Sequence, residues 1–314
     1  MARTVTPADS SPNSRQRAGV VFAVAAYGIW GFFPVYFLLL APASGTEIVA
    51  WRILFSLAFC VLLITVTRRW SMFLTVLRNR RLVLATGLAG VLIYANWQIY
   101  VVAVLDGKIV ETALGYFINP IVTVLLGVFL LRERLRPLQW TAVAVSAVAI
   151  AVLAIGYGSM PWIGIALAAT FGLYGLIKKR AGANLDAVTG LTFETLWLVP
   201  VASVILVIVG ASSGIVLGTI GPGHTLLLVG VGVATAIPLL LFAAAAKRLT
   251  LVGLGLTQYL TPLLQFLFGV FIMHEAMPVE RWVGFGLVWL ALIILTFDLI
   301  QHGRAARRAL PLPG

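Results

Sequence analysis

The stretch Gly-Tyr-Phe-Ile-Asn-Pro at residues 115–120 begins a pattern that occurs twice in this chain. Its proline, Pro120, is followed along the chain by Glu133 and then by Trp140. The same residue types return with the same spacing after a shift of 142 positions, in Pro262, Glu275 and Trp282. A proline inside an apolar helix frees a backbone carbonyl and bends the helix axis. In lipid such a break is tolerated only beside protein or a water-filled cavity, so matching breaks in two halves indicate a transporter's binding site.

The composition indicates a membrane protein with many spans. Of the 314 residues, 61% are hydrophobic and only 10% are charged, and the mean hydropathy is +1.06. Apolar segments of about 20 residues, the length that crosses a bilayer as a helix, recur along the whole chain. The single cysteine, Cys60, lies inside such a segment, which excludes a disulfide framework and a cysteine metal site.

The apolar segments predict ten transmembrane helices. We place them near residues 19–40, 47–67, 82–105, 109–131, 137–155, 159–178, 188–210, 224–246, 251–273 and 279–300. The predicted domains are a disordered cytoplasmic tail (1–18), a first five-helix repeat (19–155), a second five-helix repeat (156–300) and a basic cytoplasmic tail (301–314). The shift of 142 also superposes Gly127 on Gly269 and Gly90 on Gly232, which supports a duplicated unit.

The basic residues predict the orientation of these helices. The net charge is +12, and 19 of the 22 Lys and Arg residues lie in the two tails and in alternate loops. By the positive-inside rule both termini are then cytoplasmic, and the charge needs no nucleic acid to explain it. Because each half has an odd number of spans, the second half enters the membrane with the opposite orientation. The expected fold is therefore an all-α polytopic membrane protein of two inverted-topology five-helix repeats.

Five short motifs carry a resemblance to a known family. They are Tyr-Gly-Ile-Trp-Gly at 27–31, Asn-Trp at 96–97, Leu-Gly-Tyr-Phe-Ile-Asn-Pro at 114–120, Glu-Thr-Leu-Trp at 194–197 with Pro200, and Gln-Tyr at 258–259. Over about residues 17–300 the chain resembles the RarD branch of the EamA drug/metabolite transporters. The resemblance implies a ten-helix inner-membrane carrier and the label chloramphenicol-sensitive protein, which describes a phenotype. One departure is His274-Glu275, where the superfamily commonly has Gly-Glu.

Two charged residues inside predicted spans are candidates for function, because a charge at a helix centre costs about 2.5–3.5 kcal/mol on insertion scales. Arg52 lies in span two, where its guanidinium could bind an anionic or carboxylate group of a solute. It could equally satisfy carbonyls at a helix kink or extend to the membrane surface. Glu194 lies in span seven, where it could bind a proton or a cationic group, or stay neutral and hydrogen-bonded between helices.

Aromatic and amide side chains supply further candidates. Asn96, Trp97 and Tyr100 share one face of span three, since residues four apart are neighbours on a helix. Further polar side chains flank the two prolines: Tyr116, Asn119, Gln258 and Tyr259. Such walls suit a partly apolar organic solute. Singly, each aromatic also fits core packing or the interfacial belt.

The remaining acidic residues are predicted to be structural. Glu111 suits a rim or loop-capping position near the outer surface. Glu133 and Glu275 precede Pro137 and Pro278, and thus fall at the first turns of spans five and ten. Asp298 is expected to be a solvated helix end.

The sequence predicts a secondary transporter, an exporter or exchanger, which moves a small organic metabolite or drug across the cytoplasmic membrane by alternating access. We find no nucleophile motif, phosphate-binding glycine loop, cofactor site or metal site, so an enzyme is not expected. The expected partners are a small-molecule solute, the lipid bilayer and a coupling proton or ion, and a homodimer is left open. The alternatives are a non-transporting receptor or assembly factor, and an intramembrane enzyme.

Overall fold

The computed structural model describes residues 12–131, 135–181, 185–246, 248–249 and 257–308. Within these ranges the chain folds into helices joined by short connections, without strands. The helices are α1 (Pro12–Gly31), α2 (Phe33–Leu38), α3 (Gly45–Val66), α4 (Trp70–Leu77), α5 (Arg80–Leu105), α6 (Ile109–Leu131), α7 (Pro137–Tyr157), α8 (Trp162–Ala181), α9 (Ala187–Ser212), α10 (Pro222–Ala246), α11 (Leu260–Leu267), continued by a π-helical turn over Phe268–Ile272, and α12 (Val279–Arg308).

The lengths and compositions of the helices fit a membrane. Eight helical segments of the described chain are long and apolar enough to cross a bilayer, and two shorter apolar helices cover Trp162–Lys178 and Leu260–Ile272. A helix satisfies all its backbone hydrogen bonds internally, which is why an apolar chain takes this form in lipid. The prediction of an all-α polytopic membrane protein is confirmed at this level.

Three parts of the helix arrangement differ from our expectation: the first helix, the segment after the second span, and the last helix. The first helix begins at Pro12, inside the predicted tail, and stops at Gly31, because Pro34 in the first turn of α2 starts a new helix. The short helix α4 lies in a segment that we expected to be a loop. The last helix continues to Arg308, beyond residue 300, since a helix that leaves the membrane no longer needs apolar side chains. Glu133 and residues 251–256 of the predicted ninth span lie outside the described residues.

The buried side chains form two main clusters. The first lies mainly among α2, α3, α5, α8, α9 and α10, and it includes Phe37, Ile53 and Trp97. The second lies mainly among α6, α7, α11 and α12, and it includes Phe117 and Phe285. The first cluster includes residues of α3 and α9, the helices that carry Arg52 and Glu194, so these two charges lie between helices from both halves of the chain.

Two glycines let helices cross with their backbones in contact. A Cβ atom added to Gly232 of α10 would overlap the backbone carbonyl group of Phe55 in α3. A Cβ atom added to Gly90 of α5 would lie 2.9 Å from the carbonyl oxygen of Glu194 in α9. Small residues at such crossings are the usual means of close helix packing in membranes.

Glu275 caps a helix from the other half of the chain. Its Oε1 atom accepts hydrogen bonds from the backbone N–H groups of Ile109 at 2.7 Å and Val110 at 3.1 Å, at the start of α6. The structural role is as predicted, but the helix that receives the cap is α6 and not α12. Burial raises the pKa of the Glu275 carboxyl, while the hydrogen bonds from α6 act in the opposite direction.

Two more glutamates hold backbone N–H groups of distant segments. Glu111 accepts a hydrogen bond from the N–H of Ile163, 3.1 Å away, in the first turn of α8, which agrees with the capping role proposed for it. Glu47 was not considered from the sequence, although it is buried. Its Oε1 accepts from the N–H of Val216 at 2.8 Å, and so ties α3 to the connection between α9 and α10.

Asp298 is not a solvated helix end, and that expectation was wrong. The residue is buried in α12, and its carboxylate forms an ion pair with the guanidinium of Arg136 at 2.5 Å. Arg136 immediately precedes α7, which packs along α12. The charge of Asp298 is therefore balanced by a residue that hydropathy alone would assign to a loop.

Candidate functional site

Arg52 lies in the first buried cluster, one third of the way along α3, and only 4% of the residue is exposed. Its Nε donates a hydrogen bond to Oγ1 of Thr235 in α10 at 3.0 Å. Its Cζ lies 4.0 Å from the ring centroid of Trp97 in α5, and 5.4 and 5.6 Å from the rings of Phe33 and Phe37 in α2. Four helices from both halves thus surround one guanidinium.

No carboxylate of the described chain pairs with Arg52. Thr235 is also its single hydrogen-bond partner there, since the terminal nitrogens have none. The ring faces of Trp97, Phe33 and Phe37 attract the cation, but they carry no formal charge. The guanidinium is therefore a buried positive charge. Trp97 covers its face and Thr235 binds Nε, while the two terminal nitrogens are free to donate hydrogen bonds.

Asn96, Tyr116 and Tyr100 form a polar and aromatic wall next to this cation. The Tyr116 hydroxyl donates to Oδ1 of Asn96 at 3.3 Å, and the Nδ2 of Asn96 donates to Oγ1 of Thr170 in α8 at 3.0 Å. The rings of Tyr100 and Tyr116 lie 5.7 Å apart. The Tyr100 hydroxyl is buried and has no hydrogen-bond partner. The predicted face of span three therefore contacts Arg52 through Trp97.

A row of rings continues from this wall to Glu194. The centroids of Tyr116 and Phe171 lie 6.0 Å apart, as do those of Phe171 and Tyr174. The hydroxyl of Tyr174 then donates to Oε2 of Glu194 at 3.1 Å. The two charged candidates therefore lie at opposite ends of one aromatic wall and do not pair with each other.

Glu194 is fully buried in α9 and pairs with Lys178 of α8, whose Nζ lies 2.5 Å from Oε1 of Glu194. The sequence analysis counted Lys178 among the positive charges after span six; in the structure it lies within α8, which extends to Ala181. Gly190, one turn before Glu194, makes room for the ammonium group: a Cβ added there would lie 2.8 Å from Nζ. Glu194 is thus held as a member of an ion pair that is itself partly buried.

Asn119, Gln258 and Tyr259 form neither a hydrogen bond nor a ring contact with Arg52 in the described chain. Oδ1 of Asn119 is buried without a hydrogen-bond partner, next to Gly172 of α8. Pro120 lies inside α6, which continues past it, whereas Pro262 lies in the first turn of α11, after a turn at residue 259. Tyr259 packs against the second buried cluster, and Gln258 is half-buried beside it.

Several residues around Arg52 and Glu194 were not predicted from the sequence to belong to the site: Phe33, Tyr36, Phe37, Phe171, Tyr174, Lys178 and Thr235. One signal was present, because the repeat shift of 142 also relates Arg52 to Glu194 (194 − 52 = 142). The two charges thus occupy equivalent positions in the two halves. Within the described chain no group of three His, Cys, Asp or Glu side chains could hold a metal ion.

Comparison with known proteins decides the family. A model of the EamA-like transporter family matches residues 17–155. The chain is 46% identical to Protein RarD of Streptomyces exfoliatus, over 95% of this chain and 94% of that protein. The chain belongs to the RarD branch of the EamA family. It is also 39% identical to Protein RarD of Escherichia coli (strain K12), over 92% of this chain and 97% of that protein.

A further relative and a solved structure are consistent with this family assignment. An uncharacterized transporter, YojE of Bacillus subtilis (strain 168), is 38% identical over 94% of this chain and 99% of that protein. A crystal structure of a protein only 17% identical superposes with a TM-score of 0.58, covering 90% of this chain and 97% of the other, which shows a shared fold. Membership of the family makes the chain a multi-pass membrane transporter, whose partners are a small-molecule solute and the lipid bilayer.

Proposed function

We propose that this EamA protein is a secondary transporter of the cytoplasmic membrane that moves a small organic solute by alternating access between two inverted five-helix halves. The first half comprises residues 19–155 and the second residues 156–300. The solute contacts residues from both halves: Arg52, Asn96, Trp97, Tyr100, Tyr116, Asn119, Glu194, Gln258 and Tyr259. Each half supplies one proline next to the route, Pro120 and Pro262.

The pairing of helices carries this proposal. The repeat relates α1 and α2 to α8, α3 to α9, α5 to α10, α6 to α11, and α7 to α12. Three pairs of equivalent helices pack together: α3 with α9, α6 with α11, and α7 with α12. Every other major contact has an equivalent: α1–α10 matches α8–α5, α3–α10 matches α9–α5, and α6–α8 matches α11–α1. A pseudo-two-fold axis in the membrane plane would produce this pattern.

The glycine crossings and the charges support the same axis. Gly232 against Phe55 in α3 and Gly90 against Glu194 in α9 are equivalent crossings of equivalent helices. Arg52 occupies the eighth position of α3, and Glu194 occupies the eighth position of α9. At a rise of about 1.5 Å per residue, each charge is about 10 Å from the start of its helix. In inverted halves these starts are on opposite sides, so the aromatic wall joins the two charges across the midplane.

Alternating access requires an energy source or an exchange partner, and we assign any coupling proton to Glu194. Its protonation would remove the charge that holds Lys178 and would loosen α8 from α9. In this proposal the loosening opens the solute route to the cytoplasm next to Glu194, and the solute is exported or exchanged through that opening.

The inverted topology predicts opposite labelling of two equivalent positions. Ser44 and Asp186 are the N-cap residues of α3 and α9, and they are related by the repeat shift (186 − 44 = 142). With Cys60→Ser as background, a membrane-impermeant maleimide added to intact cells should label Ser44→Cys and leave Asp186→Cys unlabelled. Permeabilised cells should label both. Labelling of both positions from the same side would exclude the inverted arrangement.

Solute counterflow tests transport itself. Proteoliposomes are loaded with one unlabelled amino acid, nucleoside, amphenicol or organic acid at a time, and the entry of the labelled compound is followed. At least one compound should enter faster than into protein-free vesicles. Trp97→Phe should slow its entry about fivefold, because the smaller ring is a weaker partner for a cation by about 1 kcal/mol.

The matched control is Trp162→Phe, which changes an exposed tryptophan at the start of α8 and should leave entry unchanged. If no compound of the four classes exchanges, while the topology is as proposed, a receptor or assembly role replaces the transporter proposal.

A further inference from the structure

Resting on the transporter function proposed above, we propose that the free edge of the Arg52 guanidinium and the Tyr100 hydroxyl form a binding site for one carboxylate group, and that the solute is a monocarboxylate with an apolar or aromatic body.

The first step is the missing counter-charge of Arg52. A buried cation without a paired anion is unfavourable by several kcal/mol, and removal of a partner from a buried pair has a similar effect. No described carboxylate supplies the pairing. Rings and one hydroxyl compensate the charge only in part. An anionic group of the solute supplies the missing charge, and the protein keeps Arg52 buried so that this group can bind.

The second step is the orientation of the guanidinium. Thr235 accepts the hydrogen bond from Nε and donates its own hydroxyl hydrogen to the carbonyl of Val231, so its position is fixed. Trp97 covers a face of the guanidinium group. These contacts leave the two terminal nitrogens, whose parallel N–H bonds match the two oxygens of a carboxylate.

The third step is the unpaired hydroxyl of Tyr100. Only 3% of this residue is exposed, and its hydroxyl has no partner. Leaving such a group unsatisfied costs about 1–3 kcal/mol. The Tyr100 ring contacts Phe37 at 6.0 Å, and Phe37 also lies 5.6 Å from Cζ of Arg52. Trp97, which lies against Arg52, is three residues before Tyr100 in α5, so the two side chains share a face of that helix and Tyr100 borders the same region as the guanidinium.

The last step is the choice among anions and neutral solutes. Neighbouring hydroxyls already donate elsewhere: Tyr36 to the carbonyl of Leu227 and Tyr116 to Asn96. In the described chain Arg52 is the one cation along this wall whose charge is not paired, because Lys178 forms an ion pair with Glu194. One positive charge balances a monoanion and leaves a phosphate dianion half compensated. The rings of Phe33, Phe37 and Trp97 suit an apolar body next to the carboxylate.

The test compares acids with their amides on the purified full-length protein in nanodiscs. The probes are benzoate, phenylacetate, 3-phenylpropionate and 4-phenylbutyrate, each paired with the corresponding primary amide, and binding is measured by calorimetry. At least one acid should bind at least tenfold more tightly than its amide. Tyr100→Phe should weaken that acid about tenfold, the effect of losing one hydrogen bond to a charged group. Arg52→Gln should abolish its preference over the amide.

Folding is controlled in the same experiment. Without ligand, Tyr100→Phe should melt at or above the wild-type temperature, because it removes a hydroxyl that has no partner. Ser146→Ala removes another buried hydroxyl without a partner, in α7, and should likewise melt at or above the wild-type temperature while leaving binding unchanged. If Arg52→Gln does not fold, Tyr100→Phe and Arg52→Lys decide, and Arg52→Lys should weaken the acid at least fivefold through loss of the two-point contact.

Equal binding of acids and amides would overturn the carboxylate site, as would binding of the acid that is unchanged in Tyr100→Phe and Arg52→Lys. Failure of all four acids to bind would also overturn it. In each of these cases, counterflow of any other compound keeps the transporter proposal intact. Absence of counterflow for every compound class, together with absent acid binding, would overturn both.

Discussion

Replacing Lys178 with methionine is expected to destabilise the protein by about 3 kcal/mol, the lower end of the range for breaking a buried ion pair. Glu194 is fully buried, and its Oε1 is held by Lys178 at 2.5 Å. Without the ammonium group, the carboxylate keeps only the hydroxyl of Tyr174 as a partner. We place the effect at the lower end because 29% of the Lys178 side chain is exposed. The measurement is the free energy of unfolding in detergent micelles by denaturant titration.

Two further variants make this result specific. The double variant Lys178→Met with Glu194→Gln removes both charges and should recover most of the lost stability, since a neutral amide no longer needs a cation. Lys108→Met changes an exposed lysine at a helix start and should alter the unfolding free energy by no more than about 0.5 kcal/mol. If Lys178→Met is as mild as Lys108→Met, the ion pair does not support the fold.

Replacing Gly232 with alanine is expected to destabilise the protein by about 3 kcal/mol, at the upper end of the usual effect of overpacking. The added Cβ would overlap the backbone carbonyl group of Phe55 in α3. A backbone group cannot rotate away as a flexible side chain can, so α10 must move away from α3. That movement would also pull Thr235 away from Arg52. Thermal unfolding and solute counterflow should both register the change.

The matched control lies in the same helix. A Cβ added to Gly223 meets nothing within 4 Å, so Gly223→Ala should leave stability unchanged or raise it by up to about 1 kcal/mol through helix propensity. Gly90→Ala, at the equivalent crossing of α5 with α9, should destabilise in the same direction but less, because its Cβ would lie 2.9 Å from one carbonyl oxygen. If Gly232→Ala unfolds at the temperature of wild type, the helices are not in backbone contact there.

The helices could be predicted well from the sequence. Apolar segments of bilayer length must form helices in lipid, so most predicted spans, such as residues 109–131, match a helix of the structure closely. The short helix α4 and the extension of α12 to Arg308 were missed, because a search for apolar segments of bilayer length does not detect short or polar helices. The family could also be predicted, since its motifs lie at fixed positions in one chain.

The candidate site could be predicted only in part. Arg52 and Trp97 stood out as a rare charge and an aromatic in apolar segments, and the structure places them in contact. The pairing of Lys178 was not foreseen and Asp298 was assigned wrongly, because hydropathy treats a charge near a helix end as solvated. Their partners lie in other segments of the chain: Glu194 in α9, and Arg136 just before α7. A local sequence pattern therefore does not predict either pair.

The apolar segments, the duplicated spacing and the family could be read from the linear chain, because segment length, composition and motif position do not depend on the fold. The packing of the helices shows which polar and charged groups find a partner and which do not. It placed Glu275 on α6, Lys178 on Glu194, and Thr235 with Trp97 around Arg52. Hydrogen bonding and charge pairing depend on distances between helices, whereas the repeat shift relates equivalent positions and does not give which of them are in contact.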